Sequence, residues 1–434
     1  MRQATFVLLA LAGALHAQEV LQKQFTVTSD AEIILSLTAA APGADWGKEG
    51  AEAPLCDVSI DGKLNQNIVI FRGERRWVYR AFLGRFTPGK HELAVRRNVR
   101  WSAPRAGLKL ESADLSELSS SDPNYIAILH APILMARADT IGRYSDLPLL
   151  MWYEELPASS GKLLQYSIVF TNEDGGTATD ALMARWGRTT DIEYIYRVQF
   201  DPAGKIVKET FQAPDHKDLE FHGEKVVAHP LLLDATLNNV FFDHGNTPVQ
   251  YRMLPFKFDL SDGSRERVMD MNPWTYGLSA QEMKKEGKTR EYGSSAGGAA
   301  KISDARNYFY LEFSSENKGC GLAGWVKLED DPRWYSSHLG HLDFSIVRSS
   351  WARTAIELPP GIDPRRIEQV AVECLDVRDP RTYDTTSKPS ARISRTVRGF
   401  TLSADYIPAV LFERATDITL SGGEKQTVYS QRQR

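Results

Sequence analysis

Residues 189–200 read TTDIEYIYRVQF. The stretch is rich in β-branched and aromatic side chains, and its apolar residues recur at every second position, the pattern of a strand. Side chains alternate across a strand. Ile192, Tyr194, Tyr196, Val198 and Phe200 are therefore expected to share a core face, with Asp191, Glu193 and Arg197 on the opposite one. The two carboxylates would stand roughly 7 Å apart by Cα spacing. Such a pair can ligate a cation or divide acid and base roles. It is also the composition of a solvated sheet face on which Arg197 neutralises an acid.

The preceding chain runs LLQYSIVF (163–170), a strand, then the polar block TNEDGGTATD (171–180), then ALMARWGR (181–188), a helix candidate. Read as an EF-hand loop from Asn172, the block fails, because position 6 would be Thr177 rather than Gly and position 12 Met183 rather than Glu. Two readings remain. One is an irregular Ca²⁺ loop in which Asp174 and Asp180 supply oxygens beside Glu173, with Gly175-Gly176 letting the backbone fold tightly. The other is a Gly-Gly exit turn from the strand.

Further strands are expected in VQYRMLPFKFDL (249–260), NYFYLEF (307–313), LDFSIVR (342–348) and EQVAVECLDV (368–377), and a second helix in SAQEMKKEG (279–287). Toward the N-terminus, EIILSLT (32–38), NIVIF (67–71) and RWVYRAF (76–82) are short strands punctuated by the Asp61-Gly62 and Pro88-Gly89 turns. The fold class expected is all-β and mainly antiparallel. An N-terminal β-sandwich (18–101) and a linker (102–124) precede a larger β-sandwich or jelly-roll domain with few helices (125–415), and a polar tail (416–434) follows. A chain of 434 residues is long for a single core, consistent with two domains.

A net charge of −4 argues against nucleic acid, which needs a basic face to neutralise phosphates, and leaves no polybasic membrane patch. Residues 1–17 read as a secretory signal: Arg2 is the charged n-region, Ala4–Leu15 the apolar h-region, and cleavage is expected after Ala17. No later segment reaches 18 uninterrupted apolar residues, so no further membrane span is expected. Export to periplasm or medium permits a disulfide. With Cys56, Cys320 and Cys374 the better pair is Cys320–Cys374, against the alternative of buried free thiols.

His130 lies in an apolar run and reads as a core histidine, whereas His216, His222 and His229 match no standard zinc spacing. His244 ends LNNVFFDHG; His338 and His341 lie in HLGHLDF, where no glutamate follows His338 as HExxH requires. The chain has no G-x-S-x-G elbow, P-loop or Rossmann fingerprint. YGSSAGGAA (292–300) reads as a loop rather than a phosphate cradle.

Residues 128–245 resemble the Vps62-like family. The resemblance rests on HAPILMARAD with YSDLPLLMWYEE, on LLQYSIVF with its Gly-Gly loop, and on TDIEYIYRVQFD. It matches Asp191 and Glu193 to the two acids of the family's Asp-Trp-Glu-His strand, with Ile192 in place of the tryptophan and Tyr194 in place of the histidine. It implies a β-rich domain with its acidic strand at a shared site and His244 near those acids. The N-terminal segment, through its Asp61-Gly62 turn and LGRFTPGKHELAVRR (83–97), resembles the jelly-roll accessory modules of secreted proteins. Such modules imply glycan binding through Trp46, Trp77 or Trp101, against packing in a core or an interdomain seam.

Two functions are compatible with these residues. In the first, the protein binds or acts on extracellular polysaccharide, with Asp191 and Glu193 as acid/base pair or cation ligands and Arg188, His244 and His341 nearby. In the second, it is a non-enzymatic secreted or envelope-structural binding protein whose carboxylates either hold Ca²⁺, with Asp174 and Asp180 as ligands, or simply solvate a sheet face. A single concave pocket holding the acids and histidines between aromatic walls would favour the first.

Overall fold

The computed structural model describes residues 20–173, 175–294, 300–377 and 388–433. The expected signal, residues 1–17, lies outside them. The fold is all-β and mainly antiparallel, built from three successive pairs of sheets.

The first pair uses β1 (Val20–Val27), β2 (Ala31–Ala40), β3 (Leu55–Ile60), β4 (Lys63–Val69), β5 (Trp77–Phe86), β6 (Gly89–Arg97) and β7 (Lys109–Glu117). Sheet β1-β6-β3-β4 packs on sheet β5-β2-β7 around Leu35, Leu37, Val58, Leu93 and Val95. Asp61 and Gly62 both take positive φ (50° and 77°), as a two-residue hairpin between paired Ile60 and Lys63 requires. Strand β7 corrects the linker expected over 102–124. Ser112 pairs with Thr38 and Leu110 with Ala39, so Glu111 is an extra, bulged residue. Leu110, Ala113 and Leu115 consequently pack on one core although their spacing is not two.

The second pair follows α1 (Tyr125–Leu129) and comprises β8 (Ile133–Met135), β9 (Pro148–Leu156), β10 (Lys162–Phe170), β11 (Ile192–Phe200), β12 (Ile206–Ala213), β13 (Lys217–Glu220), β14 (Lys225–Val226), β15 (His229–Asp234), β16 (Phe241–Phe242), β17 (Gln250–Tyr251) and β18 (Phe256–Lys257). Sheet β13-β12-β11-β10-β9-β18 faces sheet β14-β15-β8-β17. Their core, with Tyr153, Tyr166, Tyr196, Phe211 and Phe241, runs without a break into Ile34, Leu55 and Phe82 of the first pair. At that seam His229, stacked 4.3 Å from Phe82, meets Glu32 at 3.3 Å with both side chains buried. The N-terminal sandwich is thus packed into the body rather than carried on a tether.

Helix α2 (Thr179–Trp186) joins β10 to β11. Helices α3 (Arg267–Met271) and α4 (Trp274–Lys285) connect the second pair to the third. Helix α2 stops at Gly187, which takes the left-handed conformation (φ 60°) and lies so close to Arg353 that a Cβ there would sit 2.7 Å from Cγ of that arginine.

The third pair comprises β19 (Tyr308–Lys318), β20 (Cys320–Leu328), β21 (Trp334–Ser336), β22 (Ser350–Glu357), β23 (Ile367–Asp376), β24 (Ser390–Leu402), β25 (Pro408–Ala415), β26 (Ile418–Ser421) and β27 (Lys425–Ser430). Sheet β22-β19-β24-β25, with β26 on β24, covers sheet β21-β20-β23-β27. The region 125–415, expected as one domain, therefore holds one complete sandwich and most of another. The expected polar tail supplies two strands of the latter, and Val428 and Tyr429 are buried, Tyr429 stacked 4.5 Å from Phe412. Cys320 and Cys374, on adjacent strands with Cα atoms 5.5 Å apart, form a disulfide, and Cys56 is buried and not disulfide-bonded.

Candidate functional site

The stretch TTDIEYIYRVQF supplies β11, and its period is broken. Tyr166 pairs with Tyr196 but Ser167 with Tyr194, leaving Ile195 as a bulge. Ile195 and Tyr196 both enter the core shared with the first sandwich, while Ile192 joins a separate cluster with Trp152 and Val169. Tyr194 lies under Arg197, whose guanidinium is 4.1 Å from the ring. The expected single apolar face is thus divided between two cores, and Arg197 is directed to Tyr194 and Asp218 rather than to Asp191.

Asp191 and Glu193 are buried, not on a solvated face: they are 1% and 6% exposed. Asp191 lies 3.4 Å from Nη1 of Arg188 and accepts a hydrogen bond from Nδ2 of Asn239 at 3.0 Å. The same amide group donates to Asp146 at 2.7 Å, so Asn239 ties two buried aspartates together. Arg188 also reaches Glu266 at 3.3 Å. Glu193 accepts from Nε2 of Gln212. His216 sits between the amides of Gln212 (Nδ1, 2.8 Å) and Asn238 (Nε2, 2.9 Å), and its Nδ1 is 3.9 Å from Glu193. The turn presenting it is strained, with φ 62° at Asp215 and 54° at His216.

Glu173, from the Gly-Gly loop, completes the cluster. Its Oε1 accepts from the Thr177 backbone at 2.7 Å, folding the loop back over it. A Cβ at Gly175 would lie 2.6 Å from Cβ of Leu237, and one at Gly176 would lie 2.3 Å from Oδ1 of Asn238. Glycine is needed here because the loop lies directly on the β15–β16 turn that carries Asn238 and Asn239. Burial and the neighbouring Asp191 push the Glu173 carboxyl up to about 7 and the Glu193 carboxyl up to about 8.

On another side of the cluster stand Arg185, Arg265 and Arg348. The Trp186 ring has the guanidiniums of Arg185, Arg348 and Arg188 at 4.3, 5.1 and 6.0 Å. Burial lowers the Arg348 side chain to about 10, opposed by Glu266 and reinforced by Arg265, Arg188 and Arg185. Sequence reading named Arg188 and missed the others, because residues 185, 265 and 348 are brought together only by the packing of α2, α3 and the loop before β22.

No described contact brings the remaining expected residues into this cluster. His244 is exposed, bonded to Asp243 at 3.0 Å and stacked on Phe242. His341 is exposed on the third sandwich, its ring 5.0 Å from Phe344. Asp180 opens α2 and accepts from the Ala181 backbone at 2.9 Å. Asp174 lies outside the described residues. Among the described residues no group of three or more His, Cys, Asp and Glu side chains is arranged to hold a metal ion.

A second feature lies at the seam between the first sandwich and α4. A cleft of about 670 Å³ is lined by Trp46, Phe71, Arg72, Trp77, Trp274 and Tyr406, among others. It adjoins a cavity of about 310 Å³ through the shared residues Phe71, Trp77, Asn272 and Trp274. Phe71 stacks on Trp274 at 4.9 Å, and the Arg72 guanidinium lies 4.5 Å from the Trp77 ring and 4.9 Å from that of Trp274. Trp77 is 36% exposed, whereas Trp46 is buried at 3% and Trp101 packs against Gly142. Neither cavity includes Asp191 or Glu193.

No helix among the described residues is long and apolar enough to cross a membrane. No family model and no curated protein matches the chain. Among solved structures it is similar to the C-terminal domain of EclA, a sugar-binding protein, at 23% identity over 23% of this chain and 69% of that one, with a TM-score of 0.18. It is also similar to a GH2 beta-galacturonidase from Eisenbergiella tayi, solved with galacturonate, at 10% identity over 49% of this chain and 37% of that one, with a TM-score of 0.14. A beta-glucosidase from Kluyveromyces marxianus aligns at 9% identity over 94% of this chain and 45% of that one, with a TM-score of 0.15. The chain thus spans less than half of either enzyme, and at these scores the likeness is local and weak.

Proposed function

We propose that this chain binds carbohydrate in the aromatic cleft between the first sandwich and α4. The observation that carries this reading is Trp77: a large indole left 36% exposed on the wall of a 670 Å³ cleft, beside Phe71, Trp274 and Tyr406. Sugars stack their apolar C–H faces on such rings and use their hydroxyls on planar polar groups. Exposed Arg80 offers such a group on one side of Trp77, and Asn272, Gln281 and Asp405 offer them on the other. Both cavities fall in the size range typical of ligand sites. Isothermal calorimetry against a panel of soluble oligosaccharides tests the reading. Trp77→Ala is expected to weaken binding by about 10-fold or more, the loss of one aromatic platform of about 1.5 kcal/mol. Equal affinity in the variant, or no binding by the wild-type chain to any of the panel, would sink it.

A second reading places carbohydrate chemistry at the Glu173, Asp191 and Glu193 cluster, a location outside both cavities and separate from binding in the cleft. It is favoured by the coexistence of two carboxyls that hold protons near neutral pH with an aspartate paired to Arg188. In this reading Glu193 is the proton donor and Asp191 the charged partner. Asp191→Asn and Glu193→Gln are then expected to abolish release of reducing ends from the polymer the wild-type chain cleaves. Unchanged release in both variants would remove this assignment.

A further inference from the structure

We infer that Arg185, Arg265 and Arg348 form a binding site for an oxyanion, the carboxylate or sulfate group of an acidic ligand, at the rim of the buried carboxylate cluster. This site is separate from the aromatic cleft and does not depend on the reading given to that cleft.

The first ground is pairing. Several buried arginines are matched to carboxylates: Arg137 to Asp139 and Asp146, Arg188 to Asp191 and Glu266, Arg353 to Asp270 and Glu312, while Arg252 donates to the Leu83 carbonyl and Arg72 lies against two tryptophan rings. Among the described residues, Arg185, Arg265 and Arg348 have no hydrogen bond or ion pair from their guanidiniums, although all three are partly buried. A desolvated cation without a partner is costly and is ordinarily matched within the fold. Three at one place form a set of preoriented donors suited to a planar or tetrahedral oxyanion.

The second ground is convergence. Trp186 holds Arg185 and Arg348 against its ring, 4.3 and 5.1 Å from its centre. Arg348 is near enough to Arg265, Arg188 and Arg185 to be repelled by each. Like charges gathered in this way oppose one another until an anion enters.

The third ground is the balance of charge. Four guanidiniums, Arg185, Arg188, Arg265 and Arg348, face four carboxyl groups, Glu173, Asp191, Glu193 and Glu266, with exposed Asp343 also acting on Arg185. Two of those carboxyls, Glu173 and Glu193, retain protons near neutral pH, so their negative charge does not fully cancel the arginines.

The test uses inorganic sulfate and D-glucuronate as probes, with chloride and glucose as controls, at pH 7 and matched ionic strength. Thermal unfolding of the full chain is followed for wild type, Arg348→Gln, the double variant Arg265→Gln/Arg348→Gln, and Trp77→Ala. Sulfate or glucuronate is expected to raise the wild-type midpoint by several degrees beyond its control. Arg348→Gln should reduce that rise, the double variant should abolish it, and Trp77→Ala should keep it in full. A response to glucuronate alone identifies a carboxylate site, and a response to sulfate alone a sulfate site. Because the substituted guanidiniums have no hydrogen-bond or ion-pair partner among the described residues, both arginine variants are expected to unfold no earlier than wild type without ligand. No probe-specific rise in the wild-type chain, or the same rise in the double variant, would overturn the inference. An arginine variant that unfolds well below wild type without ligand would show these side chains to be structural and would overturn it too.

Discussion

Arg353→Met is expected to lower the free energy of unfolding by about 3–5 kcal/mol, the range found when one partner of a buried ion pair is removed. Arg353 is fully buried, and its Nη2 lies 2.8 Å from Asp270 and 2.7 Å from Glu312. Its Nη1 donates to the Tyr276 hydroxyl at 2.8 Å, and that hydroxyl donates to Asp270 at 2.6 Å. One side chain thus joins α3, α4 and β19, connecting the helices to the third sandwich. Burial alone would raise the Asp270 carboxyl, but Arg353 and Arg398 outweigh it and hold the group below its ordinary value. Methionine fills much of the volume and removes the charge, leaving Asp270 with Arg398 and Glu312 with Arg267. Denaturant unfolding of wild type and variant measures the difference. A loss below about 1 kcal/mol, the level of an exposed pair, would contradict the role assigned to Arg353.

The second large effect depends on pH. Glu173 and Glu193 have folded values of about 7 and about 8, against an ordinary 4.5. Each group therefore binds its proton more tightly folded than unfolded, and stability falls where the unfolded chain has ionised and the folded chain has not. That window opens near pH 4.5 and closes near pH 7 for Glu173 and near pH 8 for Glu193. Across it the cost is on the order of 3 kcal/mol for Glu173 and about 5 kcal/mol for Glu193. Glutamine matches the protonated carboxyl and does not titrate. Glu173→Gln/Glu193→Gln is accordingly expected to unfold with wild-type stability at pH 4 and to exceed wild type by several kcal/mol at pH 8.5. Denaturation of both proteins at the two pH values gives the comparison. A difference that does not change with pH, or a variant less stable than wild type at pH 8.5, would show that these carboxyls are ionised in the folded chain.

Much of the architecture is legible in the sequence because period-two strands and glycine turns are local signals. TTDIEYIYRVQF, LLQYSIVF and the Asp61-Gly62 hairpin all stand as strands or turns in the fold. What is not legible has a physical cause in each instance. The bulge at Glu111 hides β7 by breaking the alternation of Leu110, Ala113 and Leu115. The bulge at Ile195 divides the residues of β11 between two cores. Strand β27 is short and polar, and only packing against Phe412 shows why Tyr429 is buried. At the candidate site, Arg188, Asp191 and Glu193 are close in sequence and could be grouped from it. Gln212 and Asn239 could not, nor could Arg265 and Arg348, because long-range packing assembles them. The same holds for the cleft: Trp77 was one of three candidate tryptophans, and only burial separates it from Trp46.

The most direct test of carbohydrate binding in the cleft is a titration of indole-¹⁵N-labelled protein with the oligosaccharide that calorimetry identifies, followed by NMR of the tryptophan side chains. Trp77 and Trp274, assigned by single Phe substitutions, are predicted to shift with saturating dose dependence, while Trp325 of the third sandwich, which lines neither cavity, stays fixed. Saturating shifts confined to tryptophans outside the cleft, with Trp77 unmoved, would contradict the account.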